Sequence, residues 1–228
     1  MKQPYVVLLT AAGCLCLSGS VAAQFGAGLF SKPNIADIFK PVVGSGAAYE
    51  QQSTDQKRPS SQMEMTVVGK EMTPSGEGYW LEIGHAGAKE GGSLMYSKVL
   101  VDKDFRFTKI IFQQPGQPAM ELPYNPSENG RSHMKDELAK WHQVGSETIT
   151  VPAGTFSCAH WKKDDDTEEV WTSDKVTPIA MVKQVGKTHS MVLTRIITGA
   201  TDHITGPVTK FDPKMLQQQM MQQQQKPQ

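Results

Sequence analysis

From Ser61 to Thr198 the chain changes sides at almost every residue, in short runs that end in turn-forming clusters. SQMEMTVVGKEM sets Met63, Met65 and Val67 on one side. GEGYWLEIGH sets Tyr79, Leu81 and Ile83 against Trp80 and Glu82, and SLMYSKVLVDKDF, RFTKIIFQQ, SETITV, TFSCAHWKK, EEVWTS, IAMVKQV and THSMVLTRIIT continue the pattern. The punctuation is KRPSS, TPSG, AGAKEGG, DKD and QPGQP. A period of two over four to eight residues, bounded by Gly, Pro and Asp, specifies antiparallel strands joined by turns. Asp102-Lys103-Asp104 is a hairpin turn, 163–167 connects two further strands, and the long run 187–198 belongs near the centre of a sheet.

Two segments carry a helical period instead. In PNIADIFKPVV, Ile35, Ile38, Phe39, Val42 and Val43 fall at i, i+3, i+4, i+7 and i+8. This predicts a helix of about two turns, with Pro33 in its first turn and Pro41 ending or kinking it. In SHMKDELAKW, Ser132 is placed to cap a helix whose apolar stripe is Met134, Leu138 and Trp141, with Asp136 and Lys140 paired on the wet side.

The ends set the compartment. Lys2, the uncharged apolar run Tyr5 to Leu17, and small residues Val21 and Ala23 form the pattern of a secretory signal peptide cleaved after Ala23. Ala11-Ala12-Gly13-Cys14 loosely matches a lipobox, so lipid anchoring through Cys14 stands as the alternative. The expected organisation is a leader over 1–23, a Gly-rich segment and short helix over 24–43, one β-rich domain over 44–205, and a Gln/Met-rich disordered tail over 206–228. Removing 23 of 228 residues leaves 205, with 22 basic and 23 acidic side chains, a net charge of −1. No basic excess marks a nucleic acid or an anionic membrane as partner, and no transmembrane span is expected in the mature chain.

Little in the sequence carries chemistry. Cys158 is the one cysteine after residue 16, so no disulfide can form within the processed chain. His160 shares its strand face, but side chains two residues apart on a strand are about 6–7 Å apart, too far for a good thiol–imidazole contact. With Phe156 on the same face, Cys158 reads as a small buried hydrophobe rather than a nucleophile. Asp164 to Asp166 with Glu168 and Glu169 lack the spacing and glycine of a calcium loop and read as a solvated turn. His85, His133, His142, His160, His189 and His203 are scattered and match no metal signature, and no Walker, GxSxG or GxGxxG motif occurs. Asp136 and Glu137 belong to an exposed helix face, and Glu82 beside Trp80 reads as an exposed strand residue. No cofactor and no catalytic residue is implied.

The methionines are numerous, 12 in the chain, and Met63, Met65, Met95, Met120, Met134, Met181 and Met191 fall on apolar faces. Thioether side chains fill irregular space and accept flexible apolar ligands. Met63, Met65, Leu81, Ile83, Met181 and Met191 are therefore the candidate lining of a ligand cavity, with a plainly filled core as the competing reading.

Around VPAGTFSC and EEVWTSDKVTPIAMVK the chain resembles a group of exported bacterial proteins distantly similar to the LolA-like periplasmic lipoprotein carriers. Pro152, Gly154, Phe156, Cys158 and Trp171 carry the motif, with Val176 to Pro178 and Met181 to Lys183 following. GSGAAYE and YWLE look similar too. The resemblance implies a mainly β, α+β fold: a strongly curved antiparallel sheet or partial barrel with one or two short helices covering its concave side. It implies a cavity able to hold acyl chains, but no residue-by-residue lipid site. Three functions follow as expectations. The first is a non-enzymatic exported binding protein, periplasmic or secreted, that holds an apolar or acyl ligand. The second is an envelope module with a filled core that binds another protein. The third is an enzyme using Cys158/His160 or a histidine metal site.

Overall fold

The computed structural model describes residues 32–53, 60–86, 94–113, 116–124 and 133–211. The expected leader with Cys14, the Ser132 cap, the Met134 side chain and the Gln-rich stretch from 212 onward lie outside the described residues. Among the described residues twelve strands form one sheet, with two short helices, α1 (Ile35–Ile38) and α2 (His133–Leu138). The strands are β1 (Ser45–Ser53), β2 (Ser61–Thr73), β3 (Gly76–Ala86), β4 (Leu94–Asp102), β5 (Phe107–Gln113), β6 (Ala119–Leu122), β7 (Trp141–Val151), β8 (Gly154–Lys163), β9 (Glu168–Thr172), β10 (Met181–Gly186), β11 (His189–Thr198) and β12 (Val208–Lys210).

The sheet order is β12-β6-β5-β4-β3-β2-β1-β11-β10-β9-β8-β7. Two antiparallel meanders, β1–β6 and β7–β11, are joined by pairing of β11 with β1, which puts β11 in the middle as its length suggests. The one parallel pair is β12 on β6, so the described sheet runs on to Lys210. Five ladders carry a register shift, which leaves Val68, Thr108, Val144, Val182 and Thr194 as unpaired extra residues. Bulges bend strands and add twist. The sheet curls so that edge strand β7 approaches β10 and β11, yet it stays open rather than closing as a barrel.

Directly paired residues of antiparallel strands share a face. One face carries Ala47 and Tyr49 (β1), Met63, Met65 and Val67 (β2), Leu81 and Ile83 (β3), and Val99 (β4). It supports two cores. The first gathers Tyr49, Met63, Phe156, Cys158, Trp171, Val182 and Leu193. The second gathers Phe39, Val67, Leu81, Val99 and Val101.

Helix α1 seals the second core. Asn34 caps it by a capping box with Asp37, and Ile35 and Phe39 pack inward. The expected two-turn helix is a single turn. Pro33 precedes the cap, and Phe39 leaves the helix to form a β-bridge with Ile179. Hydrogen bonds from Lys40 N to Pro178 O and from Ala180 N to Ile38 O replace helical ones. Val42 and Val43, expected on the helix's apolar face, are 55% and 46% exposed. The second helix is also shorter than its pattern. It stops at Leu138, and Trp141 opens β7 because the apolar stripe there continues into a strand. Lys140 makes its ion pair with Glu137, and the Asp136 carboxylate adds a weaker attraction to the same ammonium.

The opposite face of β3–β5 is covered by the strap 199–207, which links β11 to β12. Ile204 is buried against Ile111 and Ala119, with Trp80 and Tyr96 packed alongside. Burial on both faces is why Glu82, expected to be exposed, is 1% exposed.

Candidate functional site

The hairpin β7–β8 turns through Pro152 and Ala153 into Gly154, whose φ of +133° is a backbone setting that side chains with a Cβ rarely adopt. The turn aligns Thr150 with Thr155, whose hydroxyls bond at 3.0 Å, and Glu147 with Cys158. Phe156, Cys158 and Trp171 of the sequence motif enter the first core together, so the motif organises packing. Trp161, next along β8, is also buried and donates to Thr172 Oγ1 at 2.9 Å.

Of the six candidate cavity residues, five meet at this core. Met63 is buried in it, and Met65, Ile83, Met181 and Met191 pack against it while keeping partial exposure, as do Ile149, Val185 and Val192. Leu81 instead lies at the floor of the second core, 1% exposed. A buried apolar floor is thus bordered by half-exposed flexible and branched side chains.

Cys158 and His160 do not form a catalytic pair. Cys158 is 2% exposed, its Sγ donates to Phe156 O at 3.6 Å, and burial, reinforced by the Glu147 carboxylate, pushes the thiol's pKa up. A thiol held in its protonated form is a poor nucleophile. His160 directs Nδ1 to Glu147 Oε1 at 3.0 Å and Nε2 to Glu169 Oε2 at 2.8 Å. Its ring stacks on Trp171 at 4.4 Å, Trp171 Nε1 donates to Glu147 at 2.6 Å, and Lys183 lies over the same indole. With both ring nitrogens engaged, this histidine is a fastener between β7, β8 and β9, not a base facing a substrate.

A second polar cluster was not visible in the sequence. Glu82 accepts from His203 N at 2.9 Å, His203 Nδ1 at 2.6 Å and Ile204 N at 3.2 Å. Burial raises the pKa of its carboxyl, and the His203 hydrogen bonds pull the other way. Lys98, also buried, binds Asp202 and donates to Ile204 O at 3.2 Å, while Tyr96 stacks on the His203 ring at 4.2 Å. Glu82 and His203 are 121 residues apart in sequence, so no local signal marks the pair. The cluster holds the strap to the sheet, and every group in it has a protein partner.

The acidic turn behaves as a turn. Asp164, Asp165 and Asp166 are exposed, and Asp164 pairs with His142 and Lys32. Among the described residues no group of three or more His, Cys, Asp or Glu side chains is placed to hold a metal ion, and no helix is long and apolar enough to cross a membrane.

Fold and site together define an open, curved, mainly antiparallel sheet protein with an apolar face and tightly partnered polar groups. No known protein family matches the chain, and no curated protein matches it. Among solved structures, a Parabacteroides distasonis protein provisionally assigned as a lipoprotein is 16% identical at a TM-score of 0.36, over 70% of this chain and 98% of its own. A Bacteroides fragilis protein, provisionally assigned as exported and described as having a YmcC-like fold, is also 16% identical at a TM-score of 0.36, over 74% and 99%. At that score neither likeness carries an argument about fold or activity.

Proposed function

We propose that the protein is an exported, non-enzymatic binding protein of the cell envelope, and that it holds an apolar or acyl ligand against the first core. The observation that carries this reading is the half-exposed border of Met65, Ile83, Met181 and Met191 around a buried floor. Thioether side chains repack around chains of different length at little cost, which suits a flexible apolar ligand. The leader-like Lys2 to Ala23 supports export, to the periplasm or beyond it, and the LolA-like motif at Pro152 to Trp171 supports a carrier role. The engagement of Cys158 and His160 in packing and ion pairs supports a non-enzymatic role.

The test is native mass spectrometry of protein isolated from a bacterial envelope, before and after organic extraction, with displacement of a fluorescent naphthylamine probe as a second readout. An extractable mass of a few hundred daltons and a probe signal lowered by Met191→Asp are expected. A single apo mass together with no probe binding refutes the proposal. That result would favour the second reading, an envelope interaction module with a filled core, for which the complete burial of Val67, Val101, Val182 and Leu193 speaks.

A further inference from the structure

The same face of the sheet sets two methionines on either side of a histidine. Met63 on β2 is directly opposite His85 on β3, and His85 is directly opposite Met95 on β4. Paired residues on one face have Cβ atoms about 4.5–5.5 Å apart. A thioether, an imidazole and a second thioether therefore stand side by side along one rung.

Their environments are graded. Met63 is 8% exposed, and Met95 at the other end is 45% exposed, with His85 exposed between them. Met95 fills no core. His85 has no hydrogen-bond partner among the described residues, whereas His142, His160 and His203 are each held by a carboxylate. The Met63 sulfur is already within reach of a polar group, accepting from Gln51 Nε2 at 3.9 Å. A methionine has three rotatable bonds, so both sulfurs can turn toward a point shared with an imidazole nitrogen.

Two thioethers and one neutral imidazole make a soft, uncharged donor set. Such sets select Cu(I) over zinc, calcium or magnesium, which favour thiolates, carboxylates or carbonyls. The rung itself carries no carboxylate that would favour a hard cation. We infer that Met63, His85 and Met95 form a binding site for a monovalent soft metal ion, Cu(I), open to solvent at the Met95 end. The site binds the ion without any change in its oxidation state.

The test titrates Ag(I), a redox-inert stand-in for Cu(I), into the full chain labelled with carbon-13 at the methionine methyls. NMR follows the methyls, native mass spectrometry gives the stoichiometry, and anaerobic Cu(I) competition with a chromophoric chelator gives the affinity. One ion bound per chain, with the Met63 and Met95 methyls shifting together, is expected. Since loss of a mere supporting partner weakens metal sites 10–100-fold, Met95→Leu and His85→Ala are expected to weaken binding at least about tenfold. Met72→Leu, at a side chain 75% exposed and off the rung, is expected to leave binding unchanged. Met95 and His85 are exposed, so these variants keep the fold, which urea unfolding verifies. The inference is overturned if no ion is retained at equimolar metal, or if Met95→Leu and His85→Ala bind as tightly as the parent. It is also overturned if replacing Met215, Met220 and Met221 by Leu removes binding by itself.

Discussion

Replacing Glu82 by Ala should loosen the strap from the sheet. The carboxylate accepts three N–H donors from the strap and is almost fully buried. A hydrogen bond to a charged group contributes about 1.5–3 kcal/mol. Three such bonds would exceed about 4.5 kcal/mol, but the structure trims that figure. The His203 side chain is 48% exposed and regains water, and Ile204 N keeps a second acceptor in Asp202 Oδ1 at 2.8 Å. Removing a buried carboxylate also returns part of its desolvation cost. A net loss of about 2 kcal/mol remains. With a urea m-value of about 2 kcal/mol/M, the unfolding midpoint should fall by about 1 M. Hydrogen exchange at the Ile204 amide should accelerate in step, since opening of the strap exposes it. Glu82→Gln preserves shape and keeps one of the two acceptor oxygens, enough for the His203 and Ile204 backbone N–H groups that share Oε2, and should cost about half as much.

The pH dependence gives an independent check. Burial holds the Glu82 carboxyl above its ordinary value, so the folded chain keeps that proton where the unfolded chain has lost it. Stability from this group is then fully present below the unfolded value of about 4.3 and is lost as pH rises through the raised folded value. The stability gap between the parent and Glu82→Gln should widen as pH is lowered through that window. A midpoint shift below about 0.25 M for Glu82→Ala, with unchanged Ile204 exchange, would refute the reasoning.

Cys158 should resist maleimide in the native state and react on unfolding, because it is buried and its thiol is held protonated; labelling at the rate of a free thiol at pH 8 would contradict its place in the core. Gly46→Ala should cost at least about 2 kcal/mol, since a Cβ there would lie 2.5 Å from the Met65 carbonyl oxygen, whereas Gly145→Ala, with nothing within 4 Å, should be nearly neutral in the same urea titration. Tyr49, whose phenol is pushed well above the ordinary range by burial, should stay silent in an ultraviolet titration until alkaline unfolding. Its raised value means that stability is lost as pH climbs above the ordinary phenol range, so an early Tyr49 transition in folded protein would show that it is accessible.

What could be read from the sequence was local. TPSG, DKD and VPAG each sit at a hairpin, because a turn and its flanking alternation lie within about ten residues of one another. Trp80 and Glu82 do oppose Leu81, as the period of two requires. The helical spacings run past the ends of the helices because apolar residues happen to continue the period, while tertiary hydrogen bonds turn the chain over 41–44 at Val42 and Val43 and carry Trp141 into β7. Glu82 was misplaced because its burial comes from the strap, more than a hundred residues away. The union of the two meanders through β1 and β11 is equally non-local.

The Met63–His85–Met95 rung shows why alternation alone cannot place a site. The turn between β2 and β3 pairs Thr73 with Gly76, and an unbroken ladder from it would set Met63 opposite Ala86. Val68 interrupts that ladder. Below the bulge Gly69 pairs with Trp80, and above it Val67 pairs with Leu81, so the register moves by one and His85 comes to face Met63. The same extra residue changes which odd-numbered side chains share a face. Glu71, beyond the bulge, joins Trp80 and Lys109 on the strap side, while Met63 and Met65 turn to the core side. One bulge thus separates a polar ladder from an apolar, sulfur-rich surface on a single strand. In MTVVGKE Gly69 is the one local sign of it, since a glycine within a strand often marks a bulge, but it does not say which valine is the extra residue: Val67 and Val68 are equally suited to a pleated sheet and the choice between them is made by packing against β3.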